Sequence, residues 1–99
     1  MLLPSENYRV WHEEQSWLIK SSVPVKPIER CEIEMSFYAP DKRSADLDNK
    51  AGSLLDLFRD NKIIVDDNWF VCRDLHLVFC GVDKLNPRCE VVIKEISYE

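Results

Sequence analysis

Along the chain, the alternation of apolar and polar positions predicts five elements. From Tyr8 to about Val23, Trp11, Leu18 and Ile19 fall roughly on one side and Glu13, Glu14 and Lys20 elsewhere, a helix stopped before Pro24. Pro24 and Pro27 mark an extended connection. "CEIEMSFYAP" then alternates, Cys31, Ile33, Met35 and Phe37 against Glu32, Glu34, Ser36 and Tyr38, which is the period of a half-buried strand ended by Pro40. After the polar loop "DKRSA", Ala51, Leu54, Leu55 and Phe58 stand at i, i+3, i+4 and i+7, the stripe of an amphipathic helix running from Asp48 or Asn49 to about Asp60. Asn61 is placed to end it as a left-handed cap. "KIIV" is short, β-branched and extended, Trp69 to Cys80 reads as strand, and "CEVVIKEI" reads as a last strand that forms a hairpin with its predecessor. The order α-β-α-β-β predicts an α+β fold: a small antiparallel sheet of three to four strands with two helices packed on it.

Composition narrows the class. Ninety-nine residues, 45% apolar and 31% charged, suit one small globular domain over residues 1–99. The apolar runs are too short to span a membrane, and "MLLPSENYRV" has neither a basic leader segment nor a long apolar one, so a cytoplasmic protein is expected. The cysteines Cys31, Cys72, Cys80 and Cys89 form no C-x-x-C pair and read as reduced, buried residues. A zinc site from Cys72, His76 and Cys80 is disfavoured. On a strand these residues share a face but sit roughly 13 Å apart in succession, whereas zinc ligands must come within about 2.3 Å of one ion. Trp11, Trp17, Trp69 and Phe70 read as packing residues ahead of base-stacking ones.

Charge points to one segment. The formal net charge is −5, which weighs against nucleic-acid binding over the whole surface, because phosphate contacts need Lys and Arg. Residues 46–67, however, carry six carboxylates against three cations and so hold most of the excess. Within them "DLDN" sets Asp46 and Asp48 two residues apart at a helix start, and Asp66–Asp67 follow the apolar "KIIV". Two readings compete. Asp46 or Asp48 could cap the helix while Asp66–Asp67–Asn68 forms a solvated turn. Alternatively Asp46, Asp48 and one of Asp66 and Asp67 converge on Mg²⁺, a hard cation that takes carboxylate oxygens and leaves room for water and phosphate.

The motifs "PDKRSADLDN", "LLDLF" and "IIVDDNWF", with Asp48 to Asp56 and Asp56 to Asp66–Asp67 ungapped, resemble the RusA family of Holliday junction resolvases. These are small dimeric Mg²⁺-dependent endonucleases that cut four-way DNA junctions and are often carried on prophages. The resemblance covers most of residues 28–97. It implies catalytic carboxylates at Asp46, Asp48 and Asp67 with Asp66 in support, and a metal held by Asp46, Asp48 and Asp67, Mg²⁺ with Mn²⁺ as a substitute. It further implies DNA contacts at Lys42, Arg43, Asn49 and Lys50, a homodimer, and branched DNA as the partner in recombination or repair. Gly52 stands where the family has a lysine, and the basic run is reduced to Lys42–Arg43. The alternative these departures raise is a relative that keeps the fold as a non-cleaving binding or interaction module.

Overall fold

The computed structural model describes residues 6–96, and the leader reading of "MLLPSENYRV" falls partly outside them. Two helices pack on a three-stranded sheet: α1 (Glu6–Leu18), a 3₁₀ turn (Lys20–Ser22), β1 (Cys31–Ala39), α2 (Leu47–Asp60), β2 (Cys72–Val82) and β3 (Arg88–Glu95). Among the described residues, no helix is long and apolar enough to cross a membrane. The α+β architecture agrees with the sequence pattern. The strand directions do not.

The sheet order is β2-β1-β3, with β1 parallel to β2 and antiparallel to β3. The sheet is therefore mixed, and the expected hairpin of the last two strands is absent, since β1 lies between them. Parallel neighbours cannot be joined by a tight turn and need a crossover, and α2 is that crossover. Residues 83–87 then step across the end of β1, where the Asp83 N–H donates to the Ala39 carbonyl at 2.8 Å. β1 takes the centre because it carries the deepest apolar face: Cys31, Ile33 and Met35 are buried while Glu32 and Glu34 stay exposed.

Against that face lie Ala51, Leu57 and Phe58 of α2, with Ile63, Ile64 and Val71 closing the core. "KIIV" does not become a sheet strand. It forms a single parallel bridge, Ile28 to Ile64, in which Ile28 N–H donates to Ile63 O at 2.9 Å and Val65 N–H to Ile28 O at 3.0 Å. β2 starts at Cys72, later than expected, because Asn68 holds a turn in which its Oδ1 accepts the N–H groups of Phe70 and Val71. Trp69 is left 79% exposed and Phe70 67% exposed, so neither is a core residue.

The helix ends also differ in detail. α1 stops at Leu18 and the chain tightens into the 3₁₀ turn, closed by Ser22 N–H donating to Ile19 O at 2.8 Å, ahead of Pro24. Leu18 points to solvent and Ile19, just past the helix, packs on the core. Asn61 is not left-handed (φ −94°); Lys62 is (φ 64°). Asn61 acts through its amide, whose Nδ2 donates to Leu57 O at 2.8 Å and to Ser16 Oγ at 2.9 Å, tying the end of α2 to α1.

Gly52 has open space around the place a Cβ would occupy, so no close approach explains it. Gly52→Ala should raise stability by about 0.5–1 kcal/mol, since it removes glycine's backbone entropy from a helix interior. Met35→Ala, at a fully buried site, should lower it by about 2–5 kcal/mol through lost burial and the cavity left behind. Urea denaturation of the two variants measures both.

Candidate nucleic-acid interface

The acidic residues separate into two places. At the entry to α2, Asp46 occupies the N-cap position with extended backbone (φ −84°, ψ 125°), yet its side chain makes no capping bond. Its carbonyl accepts Lys50 N–H at 3.2 Å, and its Oδ2 lies 3.5 Å from Asn49 Nδ2. Asp48 sits in the first turn, where its Oδ1 accepts Asn49 N–H at 3.0 Å and its charge faces the positive end of the helix. Both carboxylates therefore meet Asn49, Asp48 at its backbone N–H and Asp46 at its side-chain amide.

The second place is organised by Arg59. Its guanidinium meets Asp67 (3.2 Å), Asp56 (3.2 Å) and Asp60 (3.2 Å). Two α1 side chains join it: Tyr8 OH donates to Asp56 Oδ2 at 3.3 Å, and His12 Nε2 lies 2.9 Å from Asp60 Oδ2. Burial pushes the Asp67 carboxyl above the usual carboxylate range, and sharing a hydrogen bond with Asp66 pushes it further, while Arg59 pulls it down. Asp66 is held below that range, first by the Asp67 N–H at 2.7 Å. Asn68 Nδ2 donates to its other oxygen at 3.1 Å.

Among the described residues, no group of three or more His, Cys, Asp or Glu side chains is placed to hold a metal ion. Asp46 precedes the first turn of the 14-residue α2 and Asp67 is held from its last turn. The residues present therefore do not fit one ion shared by Asp46, Asp48 and Asp67; a guanidinium supplies the cation at Asp67. The cysteines offer no zinc site either. Cys72 sits beside Cys31 on the core face, but a bulge between Cys31 and Glu32 shifts the register by one residue. His76, beside Glu34, thus lies on the opposite face from Cys72, against the shared-face expectation. Burial pushes the Cys72 thiol up to about 12 and the Cys89 thiol up to about 11, which leaves both inert.

What the tertiary structure does assemble is a groove of about 1040 Å³ between α1, the loop leading into α2, and the ends of β1 and β3. Its walls carry Tyr8, Trp11, Phe37, Tyr38 and Phe79. Three cations line it, Arg43, Lys50 and Arg88, against the single carboxylate Asp41. Arg43 is held by Asp41 through its Nε and Nη2 (2.8–3.2 Å), which fixes the guanidinium at the edge. Arg88 stacks on the Tyr38 ring, 3.8 Å from its centroid, and pairs with Asp83 at 2.8 Å. Lys50 has no ion pair among the described residues. Of the four expected DNA contacts, Arg43 and Lys50 line the groove and Lys42 and Asn49 do not.

Sequence reasoning missed Arg59, Tyr8, His12 and Arg88. Only the i, i+3 spacing of Asp56 and Arg59 was visible beforehand. In comparisons with known proteins, no family model matches the chain, and no curated protein matches it either.

The paired carboxyls give a signed test. By carboxyl NMR, Asp67 should titrate above the usual carboxylate range and Asp66 below it. Asp66→Asn should bring the Asp67 midpoint down, and Arg59→Met should move it up. Asp67 then favours the folded state at low pH, an effect lost as pH rises toward its folded midpoint. Asp66 contributes in the opposite sense, its contribution being lost as pH falls through its own midpoint.

Proposed function

We propose that the chain binds branched DNA in the groove, as a RusA-like binding module that does not cut. The observation that carries the nucleic-acid part is the groove, with aromatic walls on which unpaired bases can stack and cations at its edge to meet phosphates. Support for the branched form, and for a homodimer matched to the two-fold symmetry of a junction, comes from the motif resemblance. The non-cutting reading is supported by the placement of Asp46 at the entry to α2, away from Asp67 at its far end, and by the engagement of Asp67 by Arg59. Four cysteines outside any disulfide accord with a cytoplasmic location.

One observation favours a second reading, the Mg²⁺-dependent endonuclease that resolves four-way junctions. Asp46 and Asp48 have no cationic partner among the described residues and precede the groove-lining Lys50 by four and two residues.

A labelled four-way junction separates the two. In EDTA at low salt the protein should shift the junction more strongly than a matched duplex, with binding that weakens steeply as salt rises. Lys50→Glu should weaken it roughly tenfold, by removing one phosphate contact and adding a like charge. With Mg²⁺ added, the junction should remain intact. Cleavage that disappears in Asp48→Asn would establish the second reading, and no binding at low salt would overturn both.

A further inference from the structure

Burial along β1 stops partway. Cys31, Ile33 and Met35 are enclosed in the core, but Phe37, the next residue on that face, is only half-buried. Phe37 lies opposite Phe79 of β2 on one side and Cys89 of β3 on the other. Phe79 is 57% exposed, although it shares the face that is closed off nearer Cys31. The row Phe79–Phe37–Cys89 is thus a strip of the core face left uncovered, and it forms the floor of the groove. Tyr8 and Trp11 stand at its side from α1, their ring centroids 5.8 Å apart. Lys50 and Leu54 line it from α2, one helical turn apart and so on one face.

We infer, building on the reading of the groove as a DNA site, that its floor seats unpaired bases, so that its ligand is a single-stranded stretch of DNA and Phe79 is the residue that selects it. Inside a duplex both faces of a base are covered by its neighbours, and only the edges reach a protein. Phe37 and Phe79 offer rings and have no hydrogen-bonding group with which to read those edges. Only a base drawn out of the stack gains from such a floor. Size points the same way. At about 1040 Å³ the groove matches pockets that enclose one drug-sized molecule, about 300–1,000 Å³, and a double helix does not enter it.

Charge divides the work. Of the lining cations, Arg43 is held by Asp41 and Arg88 by Asp83 and Glu90, which leaves Lys50 to meet a phosphate. Asp46 and Asp48, both exposed and just ahead of Lys50 in the chain, discourage further phosphates there. Stacking on the floor therefore carries the selection, and Lys50 supplies a backbone contact.

Fluorescence anisotropy in EDTA tests this with three labelled DNAs: a nicked duplex, the same duplex with a short unpaired gap at the nick, and the four-way junction. The gapped duplex should bind roughly tenfold more tightly than the nicked one. Phe79→Leu, which keeps an apolar side chain at an exposed position but removes the ring, should erase most of that difference. Phe79→Tyr, which keeps the ring, should retain it. Trp69→Leu, at an exposed aromatic before the opposite end of β2, should leave it unchanged. A gap that gives no advantage overturns the inference, while junction binding, if seen, leaves the wider reading intact. So does an advantage that survives in Phe79→Leu, or one that is lost in Phe79→Tyr or Trp69→Leu. Gap binding without junction binding upholds the inference and overturns the branched-DNA reading, and binding to none of the three overturns both.

Discussion

The structure depends on β1 being buried on one face and paired on both edges. Cys31, Ile33 and Met35 are almost completely removed from water, and the strand that carries them can be so only at the centre of the sheet, under α2. Apolar burial is the largest favourable term available to a chain of this size, so the strand that supplies most of it fixes where the others go. From that placement follow the parallel pairing with β2, the use of α2 as crossover, and the short step of residues 83–87 to the far side. The groove is a further consequence. It opens where the ends of β1 and β3 meet the loop into α2, and α1 closes its side.

α1 is held to the rest largely through polar groups. Tyr8 to Asp56, His12 to Asp60 and Ser16 to Asn61 follow one stripe of the helix at four-residue intervals, while Trp11 supplies apolar contact. Arg59 joins the carboxylates of that stripe to Asp67. Such partly exposed ion pairs contribute little individually, and a shared guanidinium gives the set a fixed geometry more than it gives stability. The same guanidinium answers the electrostatic problem raised by the acidic segment. Clustered carboxylates need a cation nearby, and here the chain carries its own.

A protein with net charge −5 can still present a cationic groove, because screening confines electrostatic effects to roughly 10 Å. Arg43, Lys50 and Arg88 outnumber the one carboxylate lining it; Arg43 is paired with Asp41 and Arg88 with Asp83 and Glu90, which leaves Lys50 as the lining cation without an ion pair among the described residues. Arg88 is fixed at the groove edge by the Tyr38 ring beneath it and by its ion pair with Asp83.

The sequence by itself determined the elements: the alternation from Cys31 to Phe37 and the stripe of Ala51, Leu54, Leu55 and Phe58 are local periodicities that a chain expresses wherever its elements pack. It also determined that carboxylates gather in residues 46–67 and that Gly52 falls inside a helix. Only the tertiary structure decided strand order and direction, because periodicity says which face of a strand is buried but not which strand lies beside it. It likewise decided the fate of the acidic residues. Asp46 and Asp67 are equally acidic on paper, yet the start of the helix at Leu47 and the reach of Arg59 set them apart. Distance through space and the identity of the nearest cation are properties of packing, and no spacing along the chain contains them.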